Sequence, residues 1–261
     1  MNPAQATLFN AALLDWAPAF ALILARVGAA MVLLPGIGEA VAPAIVRIGL
    51  ALSITILLMP ALQPMMPPVP AAGLSLALMI AGEVITGLWF GWITRMIVLA
   101  LPICAQFIGY LIGLSSVLQP DSELGAQSGA LGKLFEMAAP VMLLVSGLYR
   151  VPLTALNGLF RLIPPGHLLP VGDGTETAIH AVGAGFSLAL QLASPFVVIG
   201  IVWHLAMGLV ARIVSRMQIY FVSMPGQIMA GLALLTITWS AIALAWYDGA
   251  QSYFISLPGG G

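Results

Sequence analysis

Long apolar runs, separated by short polar or proline-rich segments, fill most of this chain. A helix that crosses the hydrocarbon core of a bilayer needs roughly 20 mostly apolar residues. By that measure the candidate spans are 16–34, 48–62, 131–148, 151–163, 176–212 and 224–246, together with 74–118, which is long enough for two helices. The alternation typical of barrel strands is absent, and backbone groups in hydrocarbon must be paired. The pattern therefore predicts an all-α protein with about six to eight helices.

Three segments interrupt the apolar pattern and are predicted to be loops. They are rich in proline, glycine or polar residues, and they cover 63–73, 119–130 and 164–176. No formal charge occurs between Glu176 and Arg212, a stretch of about 52 Å as one helix. A bend is predicted there, at Ser194–Pro195. All the helices are predicted to belong to one integral membrane domain over residues 1–261.

The composition shows what surrounds these helices. Hydrophobic residues make up 61% of the chain and charged residues only 7%, and the mean hydropathy is +1.08. A soluble domain carries charge on about a quarter of its residues. Eight basic and nine acidic residues cannot coat a protein of 27.2 kDa, so most of the surface must meet lipid or other proteins. No basic run is present, which excludes nucleic-acid binding.

The N-terminal region has no Lys or Arg before Arg26, so the cationic start of a signal peptide is missing. We expect the first hydrophobic helix to direct membrane insertion. The sequence also contains no metal-ligand pair at His-x-x-x-His or Cys-x-x-Cys spacing, no Gly-x-Ser-x-Gly and no phosphate-binding loop. We therefore predict no enzymatic activity, no cofactor and no metal.

Charged residues inside the apolar segments are the most informative polar positions. They are Arg26, Arg47, Glu83, Arg95 and Arg212. Facing lipid, each would cost about 2.5–3.5 kcal/mol. We therefore expect them to face protein, water or the membrane interface. Ion pairs within the chain, snorkelling and contacts between subunits all satisfy that expectation.

Two helix faces combine polar side chains with glycine. The first holds Glu83, Gly87, Gly91 and Thr94, and the second holds Gln106, Gly109, Tyr110 and Gly113. Small residues at this spacing let another helix approach closely. The partner helix can belong to this chain or to another subunit, and the spacing is compatible with both.

The order of these features resembles the FliR family of flagellar biosynthetic proteins and its counterpart in injectisome type III secretion, over roughly residues 16–245. The most specific similarity is Gly82-Glu83-x-x-x-Gly87-x-x-x-Gly91. Further similarities are Arg26 with Pro35, Pro43 and Arg47; Gln106-x-x-Gly109-x-x-x-Gly113 with Asp121 after it; and Leu205–Arg212 with Pro225 beyond it. Ser215 and Arg216 stand where the family usually has Pro-Gln.

The resemblance implies a single-copy subunit of the flagellar export gate in the bacterial inner membrane and the flagellar basal body. Bent and hairpin helices would pack with FliP-like and FliQ-like subunits around an entry pore for unfolded export substrates, helped by FlhB-like and FlhA-like proteins. The loop at about Leu114 to Gln127 would plug the closed pore. Its expected plug residues are Ser115, Ser116, Val117, Leu118, Gln119, Pro120, Asp121 and Ser122. The expected helix-packing or subunit-packing residues are Arg26, Pro35, Arg47, Glu83, Gly87, Gly91, Gln106, Gly109, Gly113, Arg212 and Pro225.

Three other functions remain as alternatives at this point. An injectisome subunit would share the same motifs. A small-solute transporter would use Glu83 and His204 as a proton relay, although no convincing internal repeat is visible. An intramembrane enzyme would need a nucleophile–base pair or metal ligands, and the sequence shows neither.

Overall fold

The computed structural model describes residues 3–39, 42–68, 73–114, 129–213 and 219–260. Over these ranges the chain forms eight α-helices and no β-strand: α1 (Pro3–Leu33), α2 (Ala44–Leu62), α3 (Gly73–Val98), α4 (Ala100–Leu111), α5 (Ala130–Val145), α6 (Arg150–Leu162), α7 (Val171–Ile213) and α8 (Ile219–Ile255). A short 3-10 turn, Gln63–Met65, follows α2. The predicted all-α class is confirmed.

Five helical segments of the described chain are long and apolar enough to cross a membrane. They are Trp16–Leu33, Ala44–Met65, Gly73–Leu111, Val171–Ile213 and Ser223–Ile255. Helices α5 and α6 together pass the same test but bend by 75° at the four-residue break between them. The chain is a multi-pass membrane protein whose described residues contain five such segments, or six when the bent pair counts as one.

The chain forms two compact units. The first comprises Met1–Met96, Leu143–Val182 and Ser252–Gly261, and the second comprises Ile97–Met142 and Gly183–Gln251. Fully buried side chains in the first unit include Ile23, Arg26, Phe90, Phe160 and Phe254. Those in the second unit include Leu101, Phe135, Phe196 and Trp246. The single membrane domain over 1–261 stays a prediction.

The long apolar segment from residue 74 contains two helices, as expected. Helix α3 ends at Val98 and α4 begins at Ala100, with only Leu99 between them. Pro102 has no N–H to donate to the carbonyl of Val98, four residues earlier, so the hydrogen-bond ladder is broken at that point.

The bend predicted at Ser194–Pro195 does not interrupt α7, which is continuous from Val171 to Ile213. Pro195 cannot donate to the Gln191 carbonyl, its usual acceptor one turn earlier. The Ser194 hydroxyl donates to that carbonyl instead, at 2.7 Å. Because this contact replaces the lost backbone hydrogen bond, the helix passes through the proline.

The predicted loop 164–176 was too long, because α7 begins at Val171. Pro170 stands just before the helix, where a missing N–H costs little. Asp173 lies in the first turn and complements the positive end of the helix dipole. The Thr175 hydroxyl bonds the Val171 carbonyl at 2.7 Å. These local features extend the helix into a segment whose glycines suggested a loop.

The other two predicted loops are described only in part. In the predicted loop 63–73, Gln63–Met65 forms the 3-10 turn, residues 66–68 have no regular structure, and α3 begins at Gly73. In the predicted loop 119–130, residues 119–128 lie outside the described residues and α5 already begins at Ala130.

Candidate functional site

The centre of the first unit is an ion pair between α1 and α3. Arg26 Nε donates to Glu83 Oε2 at 2.5 Å, and Arg26 Nη2 donates to Glu83 Oε1 at 3.1 Å. Both side chains are 0% exposed. A bidentate guanidinium–carboxylate contact is the strongest geometry available to such a pair. Two of the charges that the sequence places in apolar helices therefore neutralise each other inside this chain.

Helix α6 and the turn after it complete the hydrogen bonding of this pair. Arg26 Nη1 donates to the Ile163 carbonyl at 2.8 Å, and its guanidinium lies 4.3 Å from the centroid of the Phe160 ring. The Gly166 N–H donates to Glu83 Oε1 at 2.7 Å. A buried ion pair is tolerable only when its remaining donors and acceptors are also satisfied. The pair thus links three segments that are far apart in the sequence.

Glycines on α3 allow α1 to come close enough for this contact. A Cβ atom at Gly87 would collide with the Arg26 carbonyl oxygen and lie 2.9 Å from the Ala29 Cβ. At Gly91 it would lie 2.7 Å from the Ala30 carbonyl oxygen. The first polar and glycine face therefore packs against α1 of the same chain, and any side chain at these two positions would push the helices apart.

The α6 contacts and the turn at Gly166 were not identified from the sequence. Gly166 has φ +83°, a left-handed conformation that favours glycine, and a Cβ there would lie 2.6 Å from Met79 and 3.0 Å from Pro67. The available signal was the Pro-Pro-Gly sequence after an amphipathic helix, which indicates a tight turn. It does not indicate that the turn supplies a donor to Glu83.

The remaining expected cations have different surroundings. Arg95 forms a half-buried ion pair with Glu39 at 3.1 Å. Arg47 is partly buried in the first turn of α2, and its buried Nε has no hydrogen-bond partner among the described residues. Arg212 is exposed near the end of α7. Pro35 is buried in the turn that follows α1.

The second polar and glycine face, on α4, is not used for close packing within the described chain. Gln106 is exposed and Tyr110 is 76% exposed. Gly109 is buried, yet a Cβ atom there would meet nothing within 4 Å. The two glycine faces therefore differ, since α1 occupies the first and no described helix closely occupies the second.

Contacts within the second unit hold the end of α4. Gly113 follows the helix with φ +77°, and Gln227 Nε2 donates to the Leu111 carbonyl at 2.7 Å. Pro225 lies inside α8 and is exposed. The described residues of this unit include a small cavity lined by Ile112, Trp203 and Gln227 among others, whose walls are largely apolar.

Glu83 and His204, the two residues considered as a proton relay, both form hydrogen bonds within the chain. Both Glu83 oxygens accept hydrogen bonds, and the His204 ring Nδ1 lies 2.7 Å from the Gly200 carbonyl of its own helix. Among the described residues there is no group of three His, Cys, Asp or Glu side chains that could hold a metal ion. The geometry thus supports a packing role for Glu83.

Several expected site residues lie outside the described residues. All eight expected plug residues, from Ser115 to Ser122, are among them. So are Ser215 and Arg216, where the sequence departs from the family pattern.

Comparison with known proteins gives consistent matches along the chain. A profile of the family described as "Bacterial export proteins, family 1" matches residues 17–252. Flagellar biosynthetic protein FliR of Caulobacter vibrioides is 32% identical over 228 residues, which cover 87% of this chain and 91% of that protein. FliR of Bacillus subtilis is 27% identical over 234 residues, covering 88% and 89%. Secretion system apparatus protein SsaT of Salmonella typhimurium is 25% identical over 227 residues, covering 85% and 86%.

Proposed function

We propose, from the premise that this chain belongs to family 1 of the bacterial export proteins, that it is a subunit of the flagellar type III protein export gate. The family membership rests on a profile match over residues 17–252 and on 32% identity to a relative aligned along most of both chains. The chain is a multi-pass membrane protein of an export apparatus, and its role in that apparatus is structural.

The observation that carries the proposal is the apolar surface that α7 leaves exposed. Its charge-free stretch between Glu176 and Arg212 is about 52 Å long, whereas the hydrocarbon core is about 30 Å thick. A single helix of that length would fit only at a tilt of about 55°, beyond the 0–40° seen for membrane helices. In an apolar 18-residue stretch of α7, only 11% of the residues are buried within the chain. The surface beyond the bilayer therefore needs other proteins to cover it.

Helix α8 and the face of α4 extend this unpartnered surface. The segment Ser223–Ile255 is as apolar as α7, and in an 18-residue stretch of it only 11% of the residues are buried. On α4, Gln106 and Tyr110 are exposed next to the open position at Gly109. We assign these surfaces to contacts with neighbouring gate subunits of FliP-like and FliQ-like type. FlhB-like and FlhA-like export proteins complete the proposed assembly, in the inner membrane at the flagellar basal body.

The remaining expected residues enter the proposal through the family resemblance. Residues 115–122 act as a plug that closes the pore when no unfolded substrate is being exported. Exposed Arg212 and Pro225 contact neighbouring subunits, and the partly buried Arg47 pairs with an acceptor on one of them.

An injectisome subunit is the second candidate, supported by the 25% identity to SsaT over most of its length. The flagellar assignment is preferred because alignments of similar coverage reach 32% and 27% identity to FliR. Deleting the gene distinguishes the two. Loss of flagellin secretion and motility supports the flagellar gate, whereas loss of secreted effectors in a strain that still swims supports the injectisome.

Photocrosslinking tests the protein contacts of α7 directly. A photoreactive amino acid replaces Ile179 or Leu209, which are 67% and 65% exposed and about 45 Å apart along the helix. The two positions cannot both lie in hydrocarbon, so at least one of them should crosslink to another export protein in the native membrane. Leu192, which is 4% exposed, is the matched control and should give no crosslink between chains. If all three positions behave alike and the extracted chain is a monomer, the gate assignment is wrong.

A further inference from the structure

Helix α6 leaves one polar face uncovered. Arg150, Thr154, Asn157 and Arg161 follow one another at intervals of four, three and four residues, which places them within an arc of about 60°. All four side chains are exposed, and we call this face the α6 polar stripe. The opposite face is buried and consists of Pro152, Ala155, Leu156, Leu159 and Phe160.

Among the described residues, the α6 polar stripe is a positive surface without an acidic partner. Its two arginines are among only eight basic residues in the chain, and no Asp or Glu occurs between Glu136 and Asp173. In the part of the chain that the structure describes, neither arginine forms an ion pair. The nearby carboxylate of Glu83, on the buried side of α6, already binds Arg26.

The stripe cannot face the hydrocarbon interior. Each arginine there would cost about 2.5–3.5 kcal/mol on insertion scales, and Asn157 would lose its hydrogen bonds to water. The three environments left are an aqueous passage, an acidic surface of another subunit, and the headgroup layer of the membrane.

Exposed apolar residues close to the stripe in the sequence favour the headgroup layer. Val145, Leu162 and Leu168 are 84%, 61% and 74% exposed. At the start of the stripe the Arg150 guanidinium lies 5.9 Å from the centroid of the Tyr149 ring. Large apolar side chains beside arginines and a tyrosine are typical of helices in a membrane interface, where stems enter the acyl region and charged groups stay among headgroups. An aqueous passage offers no environment for those apolar side chains.

We propose that α6 lies in the membrane interface and that Arg150 and Arg161 bind the phosphate groups of anionic phospholipids. A guanidinium donates two parallel hydrogen bonds to one phosphate. The two arginines are about 16 Å apart along the helix, so they bind two separate headgroups. The Thr154 hydroxyl already donates to the Val151 carbonyl, which leaves the Asn157 amide as the donor between them. This lipid site is independent of which secretion system the chain serves.

Lipid selectivity tests the charge in this proposal. The full chain, extracted with its native complex, is reconstituted into nanodiscs containing phosphatidylcholine with or without phosphatidylglycerol, and retained lipids are counted by native mass spectrometry. Replacing Arg150→Gln and Arg161→Gln should lower the preference for phosphatidylglycerol about fivefold each. Lys133→Gln is the matched control, because this exposed cation is paired with Glu136 at 3.0 Å and should change the preference little. An unchanged preference in the double arginine variant would overturn the proposal.

Depth measurement distinguishes the membrane interface from the two other environments. Asn157→Cys is labelled with a fluorophore in the intact complex, since the native Cys104 is buried. A quencher attached to lipid headgroups should quench it more strongly than a quencher at the acyl terminus or dissolved iodide. Strongest quenching by iodide would instead place the stripe in an aqueous passage. Protection from all quenchers would show that another subunit covers it, and either result contradicts the lipid site.

Discussion

Arg26 and Glu83, 57 residues apart in the sequence, form a bidentate ion pair. Both side chains are completely buried. The pair fixes α1 to α3, and its remaining hydrogen bonds fix both helices to the end of α6 and to the turn at Gly166. The polar centre of the first unit is thus assembled within one chain. Its disruption should act first on folding of the chain and only afterwards on assembly with partners.

Breaking one side of the pair should destabilise the protein strongly. Glu83→Leu leaves the Arg26 guanidinium buried without a counter-charge, and we expect a loss of about 3–5 kcal/mol in the free energy of unfolding. The same loss is expected for Arg26→Leu. Thermal unfolding in mild detergent, followed by size-exclusion chromatography of the surviving protein, measures both variants.

The double variant and a second ion pair provide the controls. Arg26→Leu combined with Glu83→Leu removes both charges and should be at least as stable as either single variant, although the Gly166 N–H loses its acceptor. Glu39→Leu breaks the half-buried pair with Arg95 and should cost less than either single variant of the fully buried pair. A double variant less stable than both single variants would contradict a charge-based explanation.

Two glycine substitutions should separate packing within the chain from packing between chains. Gly87→Ala places a methyl group against the Arg26 carbonyl and should destabilise the isolated chain by about 1–3 kcal/mol. Gly109→Ala meets nothing within 4 Å and should leave it unchanged or stabilise it by up to about 1 kcal/mol.

The bulkier Gly109→Leu should then weaken copurification with export-gate partners while thermal unfolding of the isolated chain stays close to that of the original protein. Equal loss of stability for the alanine variants at 87 and 109 would remove the distinction between the two glycine faces.

The turn at Gly166 should tolerate a side chain less well than a turn with the same backbone conformation elsewhere. Gly166 and Gly147 have φ +83° and +74°, so alanine costs about 1–2 kcal/mol of conformational strain at either position. At Gly166, unlike Gly147, the added methyl group also meets Pro67 and Met79, which should lower the free energy of unfolding by about a further 1–3 kcal/mol. Thermal unfolding of the two alanine variants measures the difference, and equal midpoints would show that the contacts around Gly166 relax freely.

Deleting residues 119–125 should make the closed gate leak ions. The expectation follows from the family resemblance, in which this segment plugs the pore. Conductance of the reconstituted complex in planar bilayers measures the leak. A deletion of equal length in the connection after α2, residues 63–69, is the control and should affect assembly without opening a pore. An ion-tight 119–125 deletion would place the plug elsewhere.

Helix positions were largely predictable because they depend on local sequence. Runs of apolar residues located the membrane segments found among the described residues, and the run from residue 74 contains two helices as expected. One boundary was wrong: α7 begins inside a predicted loop, where Pro170 and Asp173 favour the start of a helix. The bend at Pro195 stays a prediction, although the Ser194 hydroxyl replaces the hydrogen bond that Pro195 cannot make.

The candidate site was predictable only in its residue types. Arg26, Glu83, Gly87 and Gly91 were selected because charges and close-packed glycines in apolar helices require partners. The sequence does not say which partners, since spacing along one helix carries no information about the helix that packs on it. Phe160 and the donor at Gly166 therefore stayed unrecognised until the structure brought α6 against the pair.

By itself the sequence determined that this chain is a helical membrane protein and that its few charges need partners, because hydrophobicity and the cost of burying charge are properties of each segment alone. Only the tertiary structure decided which needs are met inside the chain and which are left for other molecules. That outcome depends on distances between segments. Helix α1 packs directly on Gly91, whereas Gly109 and the polar face of α6 have no such neighbour among the described residues.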